Sequence, residues 1–232
     1  MNPDTSKVNL DSAVTDMRAK LVRLGAMLFD RQLTDAAGGN MSARVGDLVC
    51  ITPRYAGSKH QWQLHPDQIL VVDLDGNLLD GEGELSRESK VHLKLHRELG
   101  HVGTGVIHAH ARNVLVFAAL CRPMPPVLEG TLKFGEIPVA AYAPAHSADL
   151  AEHIFAAIAP EEARIRKQAA AAIAAYHGLF VMGKDIDAAF DAVERIEGNA
   201  YAILMGQLLS QSDMLTQHRE FLKAEAARYG KE

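Results

Sequence analysis

The stretch that most limits what this chain can become runs from Val102 to His110. Small and apolar residues from Val102 to Ile107 read as a short buried strand, and the run ends in the pair His108-Ala109-His110. On an extended backbone, side chains two apart point to the same side. Two imidazoles can therefore be aimed at one point, an arrangement suited to a divalent metal ion. What else reaches that point decides what the protein can do.

Apolar periodicity organises the rest. Val14, Met17, Leu21, Leu24, Met27 and Leu28 recur at helical spacing and predict a helix over residues 11–32, after a flexible tail of residues 1–10. Gly38-Gly39-Asn40 marks a loop. Two short strands follow, 41–45 and 48–52, joined by the hairpin signal Gly46-Asp47. Residues 53–66 form a long polar loop, and loops of that length in compact domains are often functional. A strand over 69–73 precedes a helix over about 87–100, with Ser86 as its cap and Val91, Leu95 and Leu99 as its apolar stripe. Beyond the His-x-His strand, a helix over 113–120, a strand over 137–142 and a helix over 147–159 are expected. Two apolar strands meet at Tyr176-His177-Gly178, and two helices, 185–209 and 213–227, close the chain. No internal repeat or linker interrupts residues 11–232, so a single α/β domain is expected, its sheet mixed rather than doubly wound.

Composition excludes several functions. A net charge of -5 gives no electrostatic footprint for nucleic acid. No apolar run approaches a membrane span, and the polar N-terminal residues contain no signal core. Cys50 and Cys121 lie far apart in apolar context and read as buried free thiols. That usage points to a reducing, cytoplasmic location.

His177 is the candidate third metal ligand, because an apolar strand delivers it to a glycine turn at a sheet end. A lone histidine in such a place is more often a hydrogen-bonded core residue; the His-x-His pair argues for the ligand. A rival set exists: Glu88, His92 and His96 stand four apart on a predicted helix and share a face. Glu88 can bind metal or act as a base, or can simply be a first-turn carboxylate favoured by the helix dipole. Gly38-Gly39-Asn40 allows close backbone approach to an anion. Arg54 and Arg87 can each clamp phosphate or carboxylate, although both also suit an ordinary surface.

Taken in order, Gly39-Asn40-x-Ser42, Thr52-Pro53, Ser86-x-Glu88, His108-x-His110 and His177-Gly178 resemble the class II aldolase/adducin family, over roughly residues 11–210. The resemblance implies one α/β domain with a central, mostly antiparallel sheet flanked by helices. It also implies a homotetramer with active sites at subunit interfaces. His108, His110 and His177 become the metal ligands, and Glu88 the carboxylate that binds metal at rest and moves protons in turnover. Gly39, Asn40 and Ser86 become part of a phosphate pocket. Zinc is the usual ion, while Mn2+, Co2+ or Mg2+ serves some members.

Three departures follow from the same resemblance. Arg54-Tyr55 stands where sugar-phosphate aldolases carry Thr-Gly after Thr-Pro, and Arg87 replaces the second of two serines. Both changes add positive charge at the anion end. Glu129 stands where a tyrosine acid is expected, and Tyr229 is the candidate for a C-terminal tyrosine from a neighbouring subunit. The implied function is a metal-dependent lyase that breaks a carbon–carbon bond in a small anionic hydroxy-ketone, a sugar phosphate, through a metal-stabilised enediolate. The same electron sink also serves a decarboxylase of a hydroxylated aromatic or sugar-acid carboxylate, an epimerase or a dehydratase. A non-catalytic adducin-like module is the remaining alternative, and it predicts lost ligands.

Overall fold

The computed structural model describes residues 5–209 and 214–229. Helix α1 (Thr5–Asp30) leads into the hairpin β1 (Asn40–Val45) and β2 (Leu48–Ile51), in which Val45 faces Leu48. Gly46 takes φ +61 in the two-residue turn, a left-handed conformation that glycine adopts without steric cost. Next come β3 (Leu70–Asp73), β4 (Leu78–Asp80), α2 (Ser89–Leu99), β5 (Gly105–Ala109) and α3 (Arg112–Ala119). The remainder comprises β6 (Val139–Ala140), α4 (Ala148–Ile158), α5 (Glu162–Lys167), β7 (Ala169–Ala174), β8 (Gly178–Gly183), α6 (Ile186–Leu209) and α7 (Met214–Tyr229).

The strands form one eight-stranded sheet in the order β4-β3-β2-β1-β5-β8-β7-β6. Every pair is antiparallel except β6 with β7. The expected α/β fold, with a mostly antiparallel sheet between helices, is what the chain adopts. Alternation explains the burial. Ile107, Leu179, Val181, Ala169 and Ala171 face the side covered by α1, α3 and α6, while Val106, Phe180, Met182, Ala170 and Ala172 face α2, α4 and α5. With helices on both faces, β7 and β8 are buried at every position, so they read as unbroken apolar runs despite antiparallel pairing.

Several boundaries differ from the sequence reading. The 137–142 strand shrinks to Val139–Ala140, because Pro138 lacks an N–H and offers only its carbonyl, which accepts from Ile173 at 2.8 Å. β5 begins at Gly105 rather than Val102, since the Val102 and Gly103 amides are bound to the Leu99 carbonyl. Ser86 is not the cap of α2; that position belongs to Glu88. Ser147 does cap α4, accepting the Leu150 N–H at 3.1 Å. The short β4 and α5 have no counterpart in the sequence reading. Cys50 is buried as expected, and its burial pushes the thiol up to about 11, whereas Cys121 is only half-buried. Among the described residues, no helix is long and apolar enough to cross a membrane.

Candidate metal centre and substrate cavity

Three strand ends and one helix start converge beside the middle of the sheet. In the register, Asn40 opens β1 opposite His108 of β5, and His108 lies opposite Phe180 of β8. The Phe180 ring stacks on the His108 imidazole, with centroids 4.2 Å apart. His110 stands one residue beyond β5, and His177 lies in the turn joining β7 to β8. Their rings meet: centroid separations are 4.9 Å for His108–His110, 4.7 Å for His108–His177 and 5.4 Å for His110–His177. One ligand nitrogen from each ring lies within 4.8 Å of the other two.

The outward-facing groups show which nitrogens are left for an ion. His108 Nδ1 donates to the Leu179 carbonyl at 3.0 Å, which leaves a lone pair on Nε2. His110 Nδ1 is 3.2 Å from Asp35 Oδ1, leaving its Nε2 facing the cavity. His108 Nε2, His110 Nε2 and His177 Nδ1 are shielded from solvent and have no hydrogen-bond partner among the described residues. Buried polar atoms are ordinarily paired, so the orphaned Nε2 atoms of His108 and His110, in a cluster that His177 completes, fit a divalent cation. Burial disfavours the charged form of His108 and His110. It drives His108 down to about 3 and lowers His110, the latter effect partly opposed by Asp35.

Glu88 closes the cluster. Its Oε1 is 2.9 Å from His177 Nε2, and its Oε2 is 3.4 Å from His108 Nε2. Asn40 Nδ2 donates to Glu88 Oε2 at 2.8 Å and to Ser86 Oγ at 3.1 Å. Burial alone would raise this carboxyl; the adjacent His108 and His177 imidazoles and the Asn40 amide outweigh it and hold the group below the ordinary carboxylate range.

A cavity of about 280 Å³ opens from this cluster. The expected anion-binding residues Gly39, Asn40, Arg54, Ser86 and Arg87 all line it, with Glu88, His110 and His177. Arg54 is ion-paired with Glu84 at 2.9 Å and covers the Tyr55 ring at 4.4 Å; Arg87 is exposed. Close approach explains the glycines: a Cβ on Gly38 would lie 2.1 Å from His110 Cε1. Glu129 is exposed and is not among the cavity-lining residues. The side chain of Tyr229 lies outside the described residues.

The rival set of Glu88, His92 and His96 is not a second metal site. Both His92 nitrogens already face protein partners, Ser42 Oγ and Asn40 Oδ1, and His96 Nε2 faces Ser42. Two site residues escaped the sequence reading. Asp35 looked like turn chemistry, although its place just before the glycine pair is a usable hint. His146, in the loop after β6, lines the cavity with Nδ1 3.9 Å from Glu88 Oε1 and φ +71. Nothing in its Pro-Ala-His-Ser context signals that position.

Comparison with known proteins agrees with this geometry. The family described as Class II Aldolase and Adducin N-terminal domain matches residues 19–204. An L-fuculose phosphate aldolase of Methanococcus maripaludis is 29% identical over 179 residues, covering 77% of this chain and 91% of its own length. A 5-methylthioribulose-1-phosphate/5-deoxyribulose-1-phosphate aldolase of Rhodospirillum rubrum is 28% identical over 83% of this chain and 79% of its own. Among solved structures, an L-fuculose 1-phosphate aldolase superposes with a TM-score of 0.74 at 26% identity, covering 90% of this chain and 96% of that one. With its fold, its histidine cluster and these matches in agreement, the chain belongs to the class II aldolase and adducin family.

Proposed function

We propose that this protein is a divalent-metal-dependent aldolase that cleaves a carbon–carbon bond in a small anionic hydroxy-ketone, a sugar phosphate. The observation that carries the reading is the three-histidine cluster, one ligand nitrogen from each ring within 4.8 Å of the other two, closed by Glu88 beside a cavity with an anion-binding wall. His108, His110, His177 and Glu88 would hold the ion, with zinc the best match to a neutral three-histidine donor set. When bound, the ion supplies a Lewis acid that polarises the substrate carbonyl and offsets developing negative charge.

The chain's own groups do the rest. Glu88 is deprotonated, shielded and held by Asn40, which suits it to take a substrate hydroxyl proton and return it to carbon. Gly39, Asn40 and Ser86 bind the anionic end, and Arg54 and Arg87 add positive charge there. Relatives named for fuculose phosphate and deoxyribulose phosphate support that substrate class. Glu129 lies outside its own chain's cavity, so a part for it, as for Tyr229, belongs to the homotetramer reading, in which a neighbouring subunit completes the site.

The two arginines favour a second reading, decarboxylation, because a guanidinium grips a carboxylate as well as a phosphate. The test is product analysis on a panel of ketose 1-phosphates and hydroxylated carboxylates. Chelator-sensitive release of a two- or three-carbon phosphate supports the aldolase, and carbon dioxide release supports the decarboxylase. Purified protein that retains no metal and turns over nothing would leave only a binding module.

A further inference from the structure

Ser42, His92 and His96 are fully buried polar side chains that neither hold metal nor line the cavity. Their spacing is matched across two elements. Asn40 and Ser42 stand two apart on β1, a step of about 6.8 Å. His92 and His96 stand four apart on α2, a step of about 6 Å. The strand pair and the helix pair therefore interlock as Asn40–His92–Ser42–His96. Ser42 Oγ is 2.7 Å from His92 Nδ1 and 2.7 Å from His96 Nε2, while His92 Nε2 meets Asn40 Oδ1.

Donor and acceptor roles permit one proton arrangement. Asn40 turns its NH2 to the Glu88 carboxylate, which only accepts, so its carbonyl oxygen faces His92. That oxygen only accepts, so His92 Nε2 carries the proton. A fully buried imidazole does not hold a second proton without a counter-charge, so His92 Nδ1 is bare and accepts from the Ser42 hydroxyl. Ser42 Oγ then accepts from His96 Nε2–H, and His96 Nδ1, which has no partner, ends the chain as a bare lone pair. A flipped Asn40 amide would set its oxygen against the Glu88 carboxylate and its NH2 against the His92 N–H.

We propose that His92, Ser42 and His96 are positioning residues: a one-way hydrogen-bond chain that fixes the Asn40 amide, and through it Glu88, in the orientation turnover requires. The role of Glu88 in this chain rests on the aldolase reading; the proton arrangement does not. Long-range ¹H–¹⁵N spectra of full-length, histidine-labelled protein at pH 7 should show His92 and His96 as neutral Nε2–H tautomers, assigned by H92Q and H96Q. Ser42→Ala should leave His92 as the Nε2–H form that Asn40 dictates and let His96, whose Nε2–H loses its acceptor, populate both tautomers. Losing the buried partner in His92→Phe should lower kcat about tenfold with KM changed far less, and His92→Gln, whose amide can replace both contacts, should recover most of it. Zinc affinity, read by chelator competition, should fall in H92F and recover in H92Q.

An Nδ1–H or doubly protonated His92 in the wild type overturns the proposal. So does an H92F protein that melts earlier but keeps its kcat and zinc affinity. If the wild type cleaves none of the ketose phosphates, the aldolase reading fails, while the tautomers and zinc affinities still decide the proton chain.

Discussion

Replacing Asp35 tests whether His110 is a ligand steadied from behind. One oxygen, Oδ1, has three neighbours: His110 Nδ1 at 3.2 Å and the amides of Ala37 and Gly38 at 2.9 Å each. It therefore shapes the turn that presses Gly38 against the imidazole and also fixes which nitrogen of that ring faces the cavity. Partners of this kind, when removed, typically weaken metal binding 10–100-fold, or about 1.4–2.8 kcal/mol. Asp35→Asn keeps an oxygen for both amides and for the imidazole N–H while losing the charge, so it should sit near the tenfold end. Asp35→Ala loses the turn contacts as well and should approach a hundredfold. Little of this effect belongs to global stability, because the Asp35 side chain is 45% exposed and exposed ion pairs contribute little. Zinc dissociation constants measured by chelator competition at pH 7, beside urea midpoints of the metal-free proteins, separate the two effects. Zinc affinity unchanged in both variants would refute the tie between Asp35 and a metal-bound His110.

Other substitutions probe the remaining walls. Gly178→Ala would set a Cβ 2.8 Å from the Ala109 carbonyl oxygen and about 3 Å from the His110 and His108 rings, so zinc binding should fall at least tenfold while far-ultraviolet dichroism stays native. His146→Gly should relieve a left-handed backbone and raise stability by about 1 kcal/mol, yet lower kcat/KM by removing an imidazole from the cavity; a variant that is less stable, or fully active, would contradict this. Glu88→Gln should weaken metal binding and nearly abolish turnover, and full activity in it would remove Glu88 from the mechanism. For pH, burial drives His96 down to about 3 and His92 well below its ordinary 6.5. On acidification the unfolded chain takes up protons that the folded chain refuses. Metal-free protein should therefore hold its stability above pH 6.5 and lose about 1.4 kcal/mol per pH unit for each such group as pH falls from there toward 3, a slope that urea midpoints at pH 7, 6 and 5 would reveal.

What was legible in the sequence was what short-range geometry determines. Strand periodicity placed His108 beside His110, and an apolar run ending at a glycine singled out His177. Helical spacing put Glu88, His92 and His96 on one face but could not say what faced them. Ser42, fifty residues before His92, turned two candidate ligands into hydrogen-bonded spacers. Asp35 and His146 act through contacts with His110 and Glu88 far along the chain; the glycine pair after Asp35 hints at a tight turn, but nothing local names either pairing. The 137–142 strand was overextended because β-propensity ignores Pro138.

The site draws on segments that start at Asp35, Ser86, His108 and His177, and they meet only when the sheet is complete. An ion clasped there would bind the native chain and not the unfolded one, so unfolding must release it. At a hundred times its dissociation constant such an ion adds about 2.7 kcal/mol to native stability. Melting temperature thereby becomes a gauge of occupancy, and a panel of divalent ions can be ranked on this protein by heat alone, before any substrate is known.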